Sequence, residues 1–407
     1  MTKLDELIQE LCPDGVKYYT LNTVCNVYDG THKTPKYTDS GIKFASVENI
    51  ADPYATEKYI SISDYEKYKI KPQRNDLLMT RIGSIGVCTV LESDEPLAYY
   101  VSLALLRPNN NELNSRYLKY AIESLHCRKE LRKRTLVNAV PIKINMGDIG
   151  KITLPVPPLP VQREIVRILD NFTELTAELT AELTARKKQY EFYRDKLLTF
   201  DVLGRRTSKV VWRALGEVCD VVAGGTPSKK DTAYWEHGTI KWLGSTVCQN
   251  QKNIETVTAY ITEKGLAESS TKLMGKGTTL VALVGATIGK VAFLPFEAAI
   301  NQNIAGVYPK NIHELNPSYV YYACTLLYPK FLALTQGSKL AMANMSFVRS
   351  LKIPVPSLEV QNRIVFVLDN FNALCTDLSS GLPAEIEARQ KQYEYYRDKL
   401  LTFTPAD

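Results

Sequence analysis

The chain has 407 residues, of which 45% are hydrophobic and 23% charged, and this ordinary globular composition excludes a disordered, collagen-like or disulfide-stapled protein. Its 50 basic and 44 acidic residues give a net charge of +6, which permits a polyanionic partner without requiring one. The length predicts two or three domains, and the lack of a long apolar run or of a basic, apolar leader predicts a cytoplasmic protein.

Residues 1–154 are predicted to form a globular α+β domain. The stretch from Asp76 to Leu91 has the pattern of strands bent around glycines, and the stretch from Ser115 to Leu125 has that of a helix. Over the whole chain, eight cysteines lie far apart without metal-ligand spacing and are predicted to be buried thiols. The four histidines stand alone, so we predict neither a metal site nor a catalytic site.

Residues 155–203 are predicted to form one long helix. After a proline cluster, apolar residues recur at intervals of three and four, and no glycine or proline follows Pro160 until Gly204. Some 40 residues at 1.5 Å each make a rod of roughly 60 Å. Near its middle the tetrapeptide Thr-Ala-Glu-Leu occurs at 176–179 and again at 180–183. This tract is either a ruler that sets a distance or a solvated helix of high propensity.

Residues 204–353 are predicted to form a second α+β domain of the same fold, because short motifs recur in the same order despite a weak overall match. Residues 354–407 repeat the long helix: KQYEFYRDKLLTF at 188–200 returns as KQYEYYRDKLLTF at 391–403. The stretch from Gly381 to Pro383 predicts a kink or short break in the second copy.

The chain is therefore predicted to be an internal repeat with pseudo-two-fold character. Each helical stripe is so narrow that it needs a partner helix, and we expect the two copies to pack antiparallel as a coiled coil. The residues predicted to line this coiled coil are Ile165, Phe172, Leu175, Leu179, Leu183, Ile364, Phe371, Leu374 and Leu378.

Two motifs suggest chemistry that the rest of the sequence does not support. Asn316-Pro317-Ser318-Tyr319 looks like the loop with which amino-methyltransferases hold a flipped base, but no glycine-rich cofactor turn precedes it. The stretch from Gly285 to Lys290 lacks the spacing of a phosphate-binding loop and is predicted to be a turn between strands. The sequence indicates no catalytic residues.

Basic side chains of the globular domains are the candidates for neutralising DNA phosphates. They are Lys33, Lys36, Arg81, Lys143, Lys229, Lys230, Lys241, Lys290 and Lys339. A further basic run between Arg128 and Arg134 has the alternative reading of a solvated helix face.

Polar residues of the repeated helix ends are copied along with the apolar ones, although the globular domains have diverged. This favours one surface presented twice, to two copies of one partner, with a recent duplication as the alternative. The predicted partner-binding residues are Gln189, Tyr190, Tyr193, Arg194, Gln392, Tyr393, Tyr396 and Arg397.

The arrangement of a variable domain, a helix ending in KQYE(F/Y)YRDKLLTF and a second such pair resembles the DNA specificity subunit of type I restriction-modification systems. The segments LCPDGVKYYTL and PVPPLPVQ and the Thr-Ala-Glu-Leu repeats resemble that family too. The resemblance implies two target recognition domains that each read half of a split DNA site, and paired helices that set the spacing and bind two modification subunits. It further implies restriction subunits in the complex, with S-adenosylmethionine, ATP and Mg on the partners and no cofactor in this chain.

Two alternatives from other functional classes stand beside this reading. One is a stand-alone DNA methyltransferase, which needs a cofactor pocket in this chain. The other is a coiled-coil adaptor that never binds nucleic acid, which predicts no salt-dependent binding to DNA.

Overall fold

The computed structural model describes residues 2–33, 35–109, 112–200, 210–252, 254, 256–335, 342–376 and 380–406. The chain divides into two compact units, here called unit 1 (Met1–Thr180 with Glu385–Asp407) and unit 2 (Ala181–Ala384). Each unit thus holds one globular domain, the start of one copy of the repeated helix and the end of the other copy. The division of the chain at residues 154, 203 and 353 stays a prediction.

Unit 1 is built on two four-stranded sheets and a two-stranded ribbon. One sheet is antiparallel throughout, in the order β2-β9-β6-β7, and the other has the order β3-β5-β4-β8 with β4 and β8 parallel. The ribbon pairs β1 with β10. The strands are β1 Tyr18–Thr20, β2 Cys25–Asp29, β3 Tyr37–Thr38, β4 Ile42–Ala45, β5 Tyr59–Ile60, β6 Leu77–Thr80, β7 Cys88–Val90, β8 Leu97–Tyr99, β9 Leu103–Pro108 and β10 Thr153–Pro155.

Within the described residues of unit 1, the α-helices before the long helix are α1 Lys3–Leu11, α2 Leu21–Val24, α3 Ile62–Tyr65, α4 Ser115–Glu123, α5 Leu125–Arg134 and α6 Met146–Ile149. Helix α4 begins where the Asn114 side chain accepts hydrogen bonds from the N–H groups of Arg116 and Tyr117, a typical N-cap. Its buried face, with Tyr117 and Leu118, shares one apolar core with Leu77 of β6 and Ile165 of the long helix. Packing between these elements holds the domain on the helix.

Glycine is required at the turn that follows the central strand in both units. Gly86 has φ +81°, and a Cβ there would lie 2.7 Å from Leu131 Cδ1. Gly289 has φ +76°, and a Cβ there would lie 2.5 Å from Phe331 Cβ. Both glycines therefore permit a left-handed backbone and a close approach to a helix. The predicted strands bent around glycines are confirmed.

The first repeated helix, α7, is continuous over Leu159–Thr199. Its 41 residues confirm the predicted rod, and the Thr-Ala-Glu-Leu tract lies inside it without interruption. Threonine hydroxyls in the tract bond back to their own helix, as Thr180 does to the carbonyl of Thr176 at 2.7 Å. The tract is regular α-helix, as a ruler requires.

Unit 2 repeats the sheet plan of unit 1. Its sheets have the orders β12-β19-β16-β17 and β14-β13-β18-β15, and its ribbon pairs β11 with β20. The strands are β11 Val211–Ala214, β12 Cys219–Ala223, β13 Ile240–Leu243, β14 Ala259–Ile261, β15 Lys272–Met274, β16 Thr279–Ala282, β17 Val291–Phe293, β18 Ala298–Ile300, β19 Ile304–Pro309 and β20 Lys352–Val355. The helices are α8 Leu215–Val218, α9 Glu263–Ala267, α10 Pro317–Thr325, α11 Tyr328–Thr335 and α12 Met345–Ser350.

The second repeated helix is divided into α13 Leu358–Thr376 and α14 Leu382–Leu400. The predicted break near Pro383 is confirmed, since α13 ends before it and α14 begins one residue ahead of the proline. A proline in the first turn is tolerated because the N–H groups there lack intrahelical partners.

In unit 1 the end of α14 runs antiparallel to the start of α7. Phe172 stacks on Tyr396, with ring centroids 5.4 Å apart. Further along the chain, the Phe403 carbonyl accepts a hydrogen bond from the Tyr18 hydroxyl, and Tyr18 lies opposite Pro155, just before α7. The chain from Tyr396 to Phe403 therefore runs in the opposite direction to the chain from Pro155 to Phe172.

Unit 2 shows the same pairing with the roles of the copies exchanged. Tyr193 of α7 lies against Phe371 of α13, with ring centroids 6.0 Å apart. Leu198, further along α7, shares a buried core with Ile364, which lies earlier on α13. The direction is again antiparallel, so the predicted fold class, two α+β domains with an internal repeat and antiparallel coiled-coil helices, is confirmed.

The predicted coiled-coil residues occupy two environments. Ile165 and Ile364 lie in the cores where the helices meet the globular domains. Phe172 and Phe371 contact aromatic rings of the opposite helix within their units. Of the rest, Leu175, Leu179 and Leu183 are half-buried, Leu374 is partly exposed, and Leu378 lies outside the described residues.

Candidate nucleic-acid interface

A cluster of loops meets around Arg81 at one end of unit 1. The guanidinium pairs with Asp29 Oδ1 at 2.7 Å and donates hydrogen bonds to the carbonyls of Val101 and Ile144. Arg81 is only 7% exposed, so its charge is used inside the protein. The structure gives it a role in positioning these loops, and its predicted direct contact with DNA stays a prediction.

A basic cleft of about 790 Å³ opens beside this cluster, lined by residues of the segment after β2 and of the segment 64–70. Lys33, Lys36 and Lys69 are exposed there and form no ion pair with any described residue, whereas Lys67 pairs with Asp64 at 2.6 Å. Sequence reasoning found the first two lysines but missed the others, which lie about 30 residues further along the chain. Unpaired ammonium groups on a concave surface suit a phosphate backbone.

Lys143 is exposed on the segment that follows α5. Its backbone bridges Ile82, next to the glycine turn, and its carbonyl accepts a hydrogen bond from Leu136 N at 2.7 Å. The preceding helix α5 buries Cys127 and Leu131 on one face and exposes basic residues on the other. The exposed basic residues of α5 are Arg128, Lys129, Arg132 and Lys133. A cationic surface therefore continues from the helix into the loop.

In unit 2, Lys229 and Lys230 are exposed in the loop after β12. Lys241 differs from these two lysines, because its ammonium group makes a cation–π contact 3.8 Å from the centroid of the Phe296 ring. Lys290 donates a hydrogen bond to Gln249 Oε1 at 3.1 Å. Lys339 lies outside the described residues. The DNA contacts of these lysines stay a prediction.

Both units fasten the globular domain to the helix through a buried glutamine. Gln162 accepts a hydrogen bond from Asn114 N and donates to the carbonyls of Glu112 and Pro157, at 2.7–2.9 Å. Gln361 makes the same three bonds to Asn316 N and to the carbonyls of Glu314 and Pro356. Sequence reasoning missed this role, although the repeated glutamine in an apolar lead-in was a visible signal.

A repeated tyrosine pair completes the fastening. The Tyr117 and Tyr319 hydroxyls donate to the carbonyls of Pro155 and Pro354, both at 2.9 Å. The Tyr120 hydroxyl donates to Asp170 Oδ1 at 2.6 Å, and Tyr322 makes the equivalent bond to Asp369. Burial, and then the hydrogen bond to the carboxylate, raise the pKa of Tyr120 and Tyr322, so both remain donors.

The motif that looks like a base-holding loop has a structural role. Asn316 caps α10 by accepting hydrogen bonds from the N–H groups of Ser318 and Tyr319, and Pro317 occupies the first helical position. The Asn316 side-chain amide also donates a hydrogen bond to Asn362 Oδ1 at 2.8 Å. The second motif, around Gly285, is a short turn between β16 and β17, as predicted.

The predicted partner-binding residues are not all available to a partner. Arg397 is only 3% exposed, and Tyr393 packs on the apolar core of unit 1. Tyr190 packs on the core of unit 2, where burial raises its pKa to about 12. Docking of each helix end onto a globular domain therefore accounts for part of the repetition, an explanation that sequence reasoning did not consider.

Other predicted members of the partner surface are accessible to varying degrees. Tyr193 is exposed in part while it contacts Phe371, and Tyr396 is half-buried against Phe172. Arg194 pairs with the neighbouring Asp195. The remaining two are Gln189, half-buried, and Gln392, exposed. Their binding role stays a prediction.

The most exposed repeated aromatic was missed because it is the single position at which the two 13-residue copies differ. Phe192 is 58% exposed and Tyr395, its counterpart, 62%. Lys196 lies 5.5 Å above the first ring and Lys399 5.9 Å above the second. The same aromatic–lysine pair is thus presented twice at the surface.

The eight cysteines are all free and buried, which confirms their prediction as structural thiols. Burial raises the pKa of Cys25, Cys127, Cys219 and Cys248 to about 12. Among the described residues, no group of three His, Cys, Asp or Glu side chains has the arrangement of a metal site. No helix in the described part of the chain combines the length and the apolar character needed to cross a membrane.

The family model for the type I restriction modification DNA specificity domain matches residues 13–186 and 207–388. These two matches cover most of the chain and coincide with the internal repeat. The chain belongs to the DNA specificity family of type I restriction-modification systems. Members of this family carry the DNA specificity domain of those systems.

Curated relatives agree with this membership. A type I restriction enzyme specificity subunit from Escherichia coli is 41% identical over 264 residues, which are 62% of this chain and 63% of that protein. A putative specificity subunit from Haemophilus influenzae is 32% identical over 72% of this chain and 73% of its own length. The matched part is thus less than two thirds of the Escherichia coli protein.

Solved structures agree with the fold. The S subunit of the type I system from M. genitalium has a TM-score of 0.54 at 16% identity, covering 95% of this chain and 96% of its own. A chain from a structure describing assembly of a type I R-M system has a TM-score of 0.66 at 16% identity, covering 96% and 98%. The fold of this chain is therefore shared by solved chains of low sequence similarity, one of them an S subunit.

Proposed function

We propose that this specificity subunit recognises a bipartite DNA site, with the globular domain of each unit reading one half. What supports this is a scaffold built twice with different loops on it. Gln162 and Gln361 make matching hydrogen bonds, whereas the Asp29–Arg81 ion pair of unit 1 is replaced in unit 2 by Ala223 and Leu283 at the equivalent strand ends. Two globular domains with the same scaffold but different loop residues suit two different half-sites.

Partner subunits supply the chemistry in this proposal. Two modification subunits bind the repeated helix ends, carry S-adenosylmethionine and methylate adenine, and restriction subunits use ATP and Mg. The repeated surface around Phe192 and Tyr395 supports a partner that binds twice, because exposed aromatic residues are enriched where proteins associate. The complex acts in the cytoplasm, where DNA and these cofactors are available.

The unpaired lysines test the DNA-binding part of the proposal. Lys33→Ala with Lys36→Ala, in the full chain with its modification subunit, lowers affinity for the target duplex and reduces the slope of log affinity against log salt by roughly 2. Lys229→Ala with Lys230→Ala has the same effect through unit 2. Fluorescence anisotropy at several salt concentrations measures both quantities.

The control is Lys17→Ala with Lys352→Ala, which removes exposed lysines beside the two-stranded ribbons, away from the loop ends. Its affinity and slope stay at the parental values. Equal behaviour of control and test variants would contradict the proposed interface, and binding without any salt dependence would contradict DNA recognition itself.

A further inference from the structure

A loop of unit 1 exposes apolar side chains that the domain core does not use. Val140 is fully exposed, Val137 is 62% exposed, and Ile142 is 39% exposed. Scattered exposed aliphatic residues are ordinary, but three of them lie within six residues of this one loop. Exposed apolar side chains grouped in this way are typical of interaction sites.

The loop is held in place at its base. Leu136 N donates to the Lys143 carbonyl at 2.7 Å, and the Ile142 carbonyl accepts from Gly83 N at 2.9 Å. Both flanks enter the core of the domain, through Leu131 before the loop and Ile144 after it. The apolar tip is therefore presented by a fixed support and does not need to fold on contact.

The charged residues around the loop indicate which kind of partner binds its apolar tip. The stretch 128–143, from α5 through the loop, contains six basic residues and one acidic residue. That acidic residue, Glu130, pairs with Lys133 and Arg134, which leaves Arg128, Lys129 and Arg132 without an ion pair among the described residues. An apolar tip framed by cations is complementary to a DNA groove, whose walls are phosphates and whose floor is base edges and sugars.

We infer that Val137, Val140 and Ile142 form an apolar wedge that enters a groove of duplex DNA and contributes to the choice of the half-site read by unit 1. The inference rests on the proposed function and deepens it. The exposed basic residues of α5 hold the phosphates on either side, and the aliphatic groups contact base edges or deform a base step, as apolar wedges of DNA-binding proteins do. Arg81 acts as a positioning residue, since its hydrogen bond to the Ile144 carbonyl fixes the loop base.

The test compares three versions of the full chain, each co-expressed with its modification subunit. They are the parent, the triple variant Val137→Ser, Val140→Ser, Ile142→Ser, and a control with Val211→Ser and Ile312→Ser, which changes exposed aliphatic residues of unit 2. Binding is measured to the target duplex and to two duplexes with one half-site scrambled. Thermal unfolding and the amount of co-purified modification subunit are recorded for each complex.

We expect the triple variant to lose about tenfold or more in discrimination at one half-site only, because aliphatic burial contributes to specific but not to non-specific binding. The affinity for the duplex scrambled at the half-site of unit 1 and the salt slope stay at the parental values. The affinity for the duplex scrambled at the other half-site falls in parallel with that for the target, so discrimination at the other half-site is unchanged. The control keeps all parental values. Discrimination within about twofold of the parent at both half-sites would overturn the inference.

Loss of the modification subunit from the triple variant would also overturn it, because the tip would then be a protein contact. A parental complex that discriminates neither half-site would refute the proposed function instead, independently of the loop.

Discussion

A buried glutamine amide at the start of each repeated helix attaches the globular domain to that helix. Gln162 and Gln361 are fully buried, and each uses both ends of its amide on backbone groups of the globular domain. A buried polar group is costly unless every partner is supplied, so these positions tolerate little change. The glutamine therefore fixes where the domain sits on its helix.

We predict that Gln162→Ala lowers the free energy of local opening at the start of α4 by about 2 kcal/mol, since one buried and two partly buried backbone groups lose their partner. Hydrogen exchange of the peptide that contains Asn114 measures this change. The matched control, Arg163→Ala, alters an exposed neighbour on the same helix and changes the same quantity by less than about 0.5 kcal/mol. Equal protection in both variants would show that the amide is not a fastening point.

Single residues also show where sequence reasoning was limited. The glycine turns were predictable, because a backbone with a positive φ favours glycine and the glycines recur at the same places in both domains. The burial of Arg397 and Tyr393 was not predictable, since a repeated polar residue looks the same whether it docks on its own domain or on a partner. Only the packing distinguishes the two.

Among the elements, α7 carries the clearest quantitative prediction. Deleting Thr180 to Leu183 removes roughly 6 Å of helix, against about 3.4 Å of rise per base pair, so the unspecified spacer of the methylated motif changes by one or two base pairs. Both half-sites stay the same. Sequencing of methylated adenines measures the spacer.

The control for the deletion is Thr180→Ala, which removes the hydroxyl bond to Thr176 but keeps the helix length. Its spacer is unchanged. A deletion variant with the parental spacer would refute the ruler and leave the tract as a solvated helix.

The helix ends yield a second prediction at this scale. Phe192→Ala and Tyr395→Ala each remove one exposed aromatic from an otherwise repeated surface, so each variant binds about one modification subunit and the double variant binds almost none, as expected for interface hot spots. Native mass spectrometry counts the subunits. Glu178→Ala, on the exposed side of the same long helix, keeps full stoichiometry. Full occupancy in the double variant would place the partner elsewhere.

For the whole molecule, the sequence predicted the repeat, the α+β class, the continuous first helix and the divided second one, because each depends on periodicity and on glycine or proline punctuation. It did not predict that each unit combines a domain with the end of the other copy of the helix, because that pairing is non-local. The basic loops were only partly identifiable, since Lys241 and Arg81 differ from Lys33 and Lys36 in their neighbours and not in their sequence pattern.

The central claim is that each globular domain selects one half of a split DNA site while partners methylate it. The most direct measurement maps methylated adenines in cells that co-express the modification subunit with the parent chain, or with a chain whose residues 204–353 come from another family member. The account predicts a split motif in the parent and, in the exchanged chain, one new half-site beside one unchanged half-site. A continuous motif, or a change in both halves at once, would contradict it.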